Sequence, residues 1–237
     1  MTSAPYELEV DPRPCLGLIV LQADQTIEDE FRRIFDPDQA RLHISRVSSG
    51  AELTSETIRA MEKALPAAAA LFPAGVQFDA VGYACTSGAN LIGSKRVAAL
   101  LRSACDVGAV TDPLIAAFAS LRSREVRRIG IVSPYTSQIA QGLCDAFETA
   151  GFEVAASLSF GEEIEANVAQ IAPHSVEAAA RQLIEHVTPD AVFLSCTNLR
   201  ALDVCARVTK ATGVPVLSSN SCLAWHMAEL AGIRAQD

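Results

Sequence analysis

The chain lacks the sequence devices by which most enzymes hold a metal or a nucleotide cofactor. No C-x-x-C pair occurs, and the four histidines, His43, His174, His186 and His226, are scattered, so a structural zinc site is not expected. There is no G-x-G-x-x-G and no G-x-S-x-G, which leaves nicotinamide and α/β-hydrolase chemistry without support. Gly88 to Lys95 reads G-A-N-L-I-G-S-K, superficially a phosphate-binding loop, but its last two residues stand in the wrong order to place the lysine. An excess of basic residues is also missing: 19 Lys and Arg face 28 Asp and Glu, a net charge of −9, the opposite of a nucleic-acid surface. No apolar run is long enough to cross a bilayer. Met1 to Pro14 is polar and lacks the basic-then-apolar order of a signal peptide. The expectation is a cytoplasmic protein with no nucleic-acid or membrane partner. In a reducing compartment the seven cysteines, an odd number, are thiols rather than a disulfide frame.

What is present is an alternation of apolar runs with helix-like segments. Leu16–Leu21, Leu42–Val47 and Asp79–Ala84 read as strands, and another begins at Ala109. Between them, Thr26–Phe35, Thr54–Leu71 and Ser94–Ala104 read as helices, the last with Ser94 as its N-cap. The pattern then restarts, with strands at Ile129–Ser133, Glu153–Phe160, Asp190–Ser195 and Val214–Leu217. The helices of this second half are Thr136–Ala150, Ser175–His186, Leu199–Thr212 and Cys222–Ala231. Strands alternating with helices imply parallel sheets flanked by helices.

The restart is an internal repeat. Gly17 and Gly130 sit in matching strands, Cys85 matches Cys196, and Gly108-Ala109-Val110 resembles Pro215-Val216-Leu217, all at an offset of about 110 residues. The expected architecture is therefore α/β, with two pseudo-symmetric Rossmann-like lobes. The first comprises residues 1–112 with 216–237, and the second residues 113–215. The cleft between them would lie at the carboxyl ends of both sheets, where open α/β sheets bind ligands.

That cleft is where two thiols would meet. Cys85, in Tyr83-Ala84-Cys85-Thr86-Ser87-Gly88, and Cys196, in Leu194-Ser195-Cys196-Thr197-Asn198-Leu199, each follow a strand and precede a helix-like stretch. A helix N-terminus lowers a thiol pKa, and such a thiol can take a proton as thiolate and return one as thiol. Cys15, Cys105, Cys144 and Cys205 lie in strand or helix patterns and read as small packing residues; Cys222, close to the Ser218–Ser221 loop, fits either reading. Thr86, Ser87, Thr197 and Asn198 are candidate donors to a substrate carboxylate or a developing enolate, and the alternative for each is a plain N-cap. Asp24, Thr111, Ser133, Tyr135 and Ser218 follow strand ends on the same side. Tyr135 either hydrogen-bonds a substrate oxygen or packs with its hydroxyl in water. Arg200, one turn into the helix after Cys196, either pairs with a carboxylate or, the favoured reading, is a solvated helix residue.

These stretches resemble the aspartate/glutamate racemase superfamily over most of the chain, from about Leu16 to Gly232. Within it the chain is most similar to the branch holding maleate cis-trans isomerase, arylmalonate decarboxylase and the ectoine-utilization racemase-like proteins. Gly17-Leu18-Ile19-Val20, Asp24-Gln25-Thr26, Tyr83–Ile92, Ser133–Thr136, Phe160–Glu163, Ser195–Arg200 and Pro215–Asn220 through Trp225 carry the likeness. The ectoine-utilization group looks nearest, through Asp24-Gln25-Thr26, Cys85-Thr86-Ser87 and Cys196-Thr197 with Leu199-Arg200. The resemblance implies a cofactor-independent isomerase, dimeric or larger, that works with Cys85 and Cys196 on opposite faces of a small carboxylic acid. The expected reaction is racemization or epimerization at the α-carbon of a small amino acid or derivative. The alternative is maleate-type double-bond isomerization by addition of Cys85. Decarboxylation ranks lower, because decarboxylases of the branch keep only the second cysteine, and a non-catalytic binding role ranks with it. Maleate isomerases carry an asparagine where Asp24 stands, and the resemblance puts a second one near Glu165 or Asn167, of which Asn167 is taken as the substrate contact.

Overall fold

A computed structural model describes residues 4–50 and 54–233. The strands are β1 (Cys15–Leu21), β2 (Arg41–Val47), β3 (Phe78–Ala84), β4 (Val107–Thr111), β5 (Arg128–Ser133), β6 (Glu153–Ser159), β7 (Ala191–Leu194) and β8 (Val216–Ser218). They form two parallel four-stranded sheets of identical order, β2-β1-β3-β4 and β6-β5-β7-β8. The helices are α1 (Ile27–Ile34), α2 (Ser55–Ala69), α3 (Thr86–Ile92), α4 (Ser94–Arg102), α5 (Pro113–Ser123), α6 (Ser137–Thr149), α7 (Glu165–Val168), α8 (Pro173–Val187), α9 (Leu202–Thr212) and α10 (Ser219–Leu230). No helix among the described residues is long and apolar enough to cross a membrane.

Burial explains the run-like strands. β1, β5 and β7 lie in sheet interiors, are covered on both faces and are apolar almost throughout, as parallel sheets require. The edge strands β2 and β6 are half-exposed and mix polar with apolar residues. Gly17 and Gly130, the paired landmarks of the repeat, share a steric duty. A Cβ on Gly17 would come within 2.9 Å of Val81 and 3.0 Å of Phe72, and one on Gly130 would overlap Leu183. Both glycines thus let a covering side chain press onto the middle of the sheet.

The lobes share one continuous hydrophobic core. Phe118 of α5 meets Phe147 of α6 edge-on at 5.0 Å between centroids, and Phe147 packs on Phe193 of β7 at 5.2 Å. α10 leaves the second sheet and packs on α5 and β3. Val216–Ser218 pairs with β7, so the return to the first lobe comes at Ser219, three residues after the position expected from the sequence.

Other differences are local. Ser94 is the first residue of α4 rather than its cap; Gly93, at φ +88°, holds the cap position. The phosphate-loop lookalike is therefore two helices broken at Gly93. The helix expected from Leu199 begins only at Leu202, so Cys196 is followed by a turn.

Candidate active site

The site is assembled where β3 and β7 end. Cys85 caps α3, and its sulfur accepts the Gly88 N–H at 3.2 Å, with the Ser87 hydroxyl 3.6 Å away. Gly88 is required there, since a Cβ would overlap the Tyr83 hydroxyl and approach the Cys85 sulfur to 2.9 Å. Cys196 adopts φ +98°, a conformation that strains any residue with a Cβ. Strain of this kind, about 1–3 kcal/mol, persists only where neighbours hold it. Here the Cys196 N–H donates to the Ser219 hydroxyl at 3.1 Å.

Each cysteine motif grips the other across the lobes. Ser219 Oγ also meets Thr86 Oγ1 at 2.8 Å, and Thr197 Oγ1 donates to the Ala84 carbonyl at 3.3 Å. The turn after β1 docks on the turn after β7: Gln25 N–H donates to Asn198 Oδ1 at 2.8 Å and the Thr26 hydroxyl to the Asn198 carbonyl at 2.8 Å. Glu30 ties the same region from behind, accepting the Ala201 and Leu202 N–H groups and the Asn220 side chain at 3.1, 3.0 and 2.8 Å. Both thiols are buried, and each is close enough to influence the titration of Tyr135.

The electrostatics differ from the expectation of ready thiolates. Burial pushes the Cys85 thiol up to about 11, with Ser87, Gly88 and Tyr83 opposing the rise through hydrogen bonds. Burial is also the main cause that raises Cys196 well above the ordinary thiol range, and the Glu165, Asp24 and Cys85 charges add to it. Desolvation outweighs the donors because α3 is only two turns long and no helix starts directly after Cys196. Burial thus favours the neutral thiol at both positions.

Two carboxyl groups border them. Asp24 Oδ1 accepts the N–H groups of Thr26 and Ile27 at 2.8 and 2.9 Å, and burial raises its pKa. Glu165 Oε1 accepts from Asn198 Nδ2 at 3.1 Å. Burial brings the Glu165 carboxyl up to about 7, with the Asp24 charge adding to the rise. A cavity of about 10 Å³, room for roughly one water, touches Cys85, Ser87, Glu165, Ile58, Met61 and Gly50. A roomier depression of about 370 Å³ between α1 and α9 is lined by Glu30, Arg33 and Arg207 and touches no cysteine sulfur.

Residues 94–237, more than half of the sequence, match the family described as arylmalonate decarboxylase. The chain belongs to the arylmalonate decarboxylase family. No curated protein sequence matches it. Among solved structures, maleate isomerase Iso from Pseudomonas putida S16 aligns at TM-score 0.83 with 20% identity, covering 93% of both chains. A cysteine-to-serine variant of Nocardia farcinica maleate cis-trans isomerase, carrying a covalently bound succinylcysteine intermediate, aligns at 0.81 with 21% identity, again covering 93% of both. A liganded double variant of arylmalonate decarboxylase aligns at 0.83 with 24% identity, covering 94% of this chain and 96% of that one. These likenesses establish the two-lobed α/β fold, and the neighbours are enzymes.

In this family member several expected contacts have other employment. Asn167 is exposed, and its place at the site belongs to Glu165, two residues earlier and 3% exposed. Asn198 is fully buried, and its amide also donates to the Glu165 carbonyl at 3.0 Å. With the Gln25 N–H on its other end it ties the turn that carries Asp24 to Glu165. Ser133 bonds Ser159 at 3.3 Å, and Ser159 donates to the Tyr135 carbonyl; Ser133 thus fixes the Tyr135 turn. The Tyr135 hydroxyl is not in water but buried, accepting from Ser195 at 3.3 Å. Thr111 bonds His226, and Ser218 caps α10. Arg200 is exposed, donating to the Ile171 carbonyl. Cys15, Cys144, Cys205 and Cys222 are buried and free.

Tyr83 and Ser219 were not singled out from the sequence. The only signal for Tyr83 was its place one residue before the end of a strand that leads to a cysteine. Ser219 was hidden in a run of serines. Replacing Ser219 with alanine leaves the Cys196 N–H buried without an acceptor, so Ser219→Ala is expected to destabilise the protein by about 1–3 kcal/mol. An unchanged urea midpoint would show that the bridge is not holding the Cys196 turn.

Proposed function

We propose that this protein is a cofactor-independent racemase or epimerase. It would act at the α-carbon of a small amino acid or derivative, with Cys85 and Cys196 as the two proton-transfer groups. The observation that carries this reading is the mutual locking of the two cysteine turns, one from each lobe, around a closed site. Two sulfurs on opposite sides of one carbon suit removal of a proton from one face and delivery to the other. One thiolate takes the α-proton, the electron pair passes into the carboxylate as an enolate, and the opposite thiol protonates the other face. The pair of sulfurs leaves the turnover with its charge exchanged, so the reverse reaction starts from that state. The Thr86 and Ser87 N–H groups, which open α3 and have no intrahelical acceptor, and the Ser87 hydroxyl are suited to the enolate. Thr197 would help from the other turn.

Maleate-type isomerization is the second reading, favoured by the fold shared with maleate isomerases. Cys85 would add to the double bond, the carbon–carbon bond would rotate, and elimination would restore the thiol. Against it stand Asp24 and Glu165, which would face a dicarboxylate with like charge. Decarboxylation, the activity in the family's description, does not need a second thiol. The kinship with ectoine-utilization racemase-like proteins, cytoplasmic location and homodimeric assembly belong to the same proposal.

A direct test incubates the enzyme with single enantiomers of aspartate, glutamate and 2,4-diaminobutyrate and, separately, with maleate. Loss of optical purity by chiral chromatography supports the first reading. Fumarate formation with optically stable amino acids supports the second instead.

A further inference from the structure

Three buried side-chain atoms among the described residues lack a hydrogen-bond partner: Asp24 Oδ2, Glu165 Oε2 and Asn220 Oδ1. Two of them are carboxylate oxygens of the candidate site, on residues that are each only 3% exposed. A buried unsatisfied acceptor is costly, and more so when charged. Asp24 and Glu165 each use one oxygen, on the Thr26 and Ile27 N–H groups and on the Asn198 amide respectively. The other oxygen of each is left over. The Thr197 hydroxyl is the one neighbour that can turn to Asp24 and favour its charged form, but it has a single proton and donates it to the Ala84 carbonyl at 3.3 Å.

No cation is in contact with either carboxylate among the described residues, and the one that acts on Asp24 from a distance is already engaged. Arg46 lowers the Asp24 pKa through its charge, but its guanidinium donates to the carbonyls of Leu21, Gln22 and Asp24 and pairs with Glu28. Glu30, the third acidic group here, is saturated by Ala201, Leu202 and Asn220. Among the described residues no lysine, arginine or histidine pairs with Asp24 or Glu165. The two carboxyl groups come from opposite lobes, one on the turn after β1 and the other on α7, and both act electrostatically on Cys196. Glu165 lines the small cavity that also touches Cys85 and Ser87, and Asn198, which bonds Glu165 on one end and the Gln25 N–H beside Asp24 on the other, ties the two acidic turns together.

We propose that the unpartnered oxygens of Asp24 and Glu165 are a recognition pair for a substrate ammonium group, one carboxylate from each lobe. An ammonium offers three donors and no acceptor, and it supplies the contacting positive charge that neither carboxylate has. A divalent cation would need more ligands than two carboxylates, and the described residues contain no cluster of three metal-ligating side chains. The proposal rests on the thiol site being the substrate site and deepens that reading: the substrate would carry a free, protonated amine. N-acylated or purely carboxylic compounds of the same shape would be discriminated against. Binding would also place a positive charge beside Cys196 and ease its ionisation, so the thiolate would form when substrate is present.

The experiment compares matched pairs, 2-aminobutyrate against butyrate and aspartate against succinate, by calorimetry at pH 8. The proteins are the wild type, Glu165→Gln and Asp24→Asn. The expected result is that the wild type prefers the amino member of each pair by about tenfold or more, and that each variant loses that preference. Equal affinities within pairs, or a preference untouched by both variants, would overturn the proposal. So would protection of the wild type against thermal unfolding by MgCl2 or ZnCl2 that Asp24→Asn abolishes, since the pair would then hold a metal. Glu165→Gln keeps the bond to Asn198, so it decides the question even if Asp24→Asn does not fold. If the amines bind selectively but no amino acid is racemized, the racemase reading fails and the ammonium pair stands. If desamino acids exchange their α-protons as well as amino acids do, the pair fails while the two-thiol reading stands.

Discussion

Cys85→Ser and Cys196→Ser each lose interconversion of enantiomers by about 10²–10⁴-fold, the usual worth of a positioned acid or base, but they fail on opposite faces. With only Cys196 left, the α-proton on its side still exchanges with solvent, while nothing on the Cys85 side delivers a proton. The other variant shows the reverse preference. Serine keeps an acceptor for the Gly88 N–H in the first case and leaves the Cys196 N–H bond to Ser219 intact in the second, so both variants should fold. Enantiomer-resolved proton NMR in heavy water reads both effects at once. Full interconversion by either single-thiol variant would mean that one sulfur suffices. Equal loss of exchange for both enantiomers in both variants would mean that the sulfurs do not divide the faces.

Glu165→Gln gives a more stable protein at pH 8, by about 3 kcal/mol, and little change near pH 4.5. The sign follows from proton binding. The carboxyl of Glu165 titrates near 4.5 when exposed and at about 7 in the fold, raised mainly by burial. Between those values the folded chain holds a proton that the unfolded chain has released. Wild-type stability therefore falls as pH rises from about 4.5 to about 7 and stays lower above that. Glutamine cannot ionise and escapes the loss. Asp24 contributes a slope of the same sign, largely common to both proteins. At a chain length of 237 residues the gain corresponds to roughly 6–12 °C in the melting temperature. Thermal melts from pH 4.5 to 8 test this, and a difference that does not grow with pH would place the Glu165 charge in water. The same substitution is expected to weaken substrate binding, so the wild-type residue trades stability for function.

The two-lobed fold was legible because its signals are long and repeated. Buried parallel strands read as apolar runs, and Gly17/Gly130 and Cys85/Cys196 fix the repeat. The position of the thiols at strand ends followed from that pattern. Their titration did not, since it depends on how completely the folded protein excludes water. α7 is four residues long, too short to show a periodicity, so sequence alone did not settle whether Glu165 or Asn167 faces inward. Asn198 was recognised as a site residue, but its partners Gln25 and Glu165 lie 173 and 33 residues away. A local pattern does not contain such contacts. Ser219 was obscured for the same reason: it joins Thr86 to Cys196 across 133 and 23 residues.

Where the α-proton goes tests proton transfer by two sulfurs most directly. Each enantiomer of aspartate, glutamate and 2,4-diaminobutyrate is turned over by the wild-type enzyme in heavy water, and the product enantiomer is analysed by mass spectrometry at early conversion. Two opposed thiols predict a product carrying one deuterium at the α-carbon from its first appearance, since the thiol that delivers the proton has equilibrated with solvent. Product that forms with its original hydrogen retained would contradict proton transfer by two sulfurs.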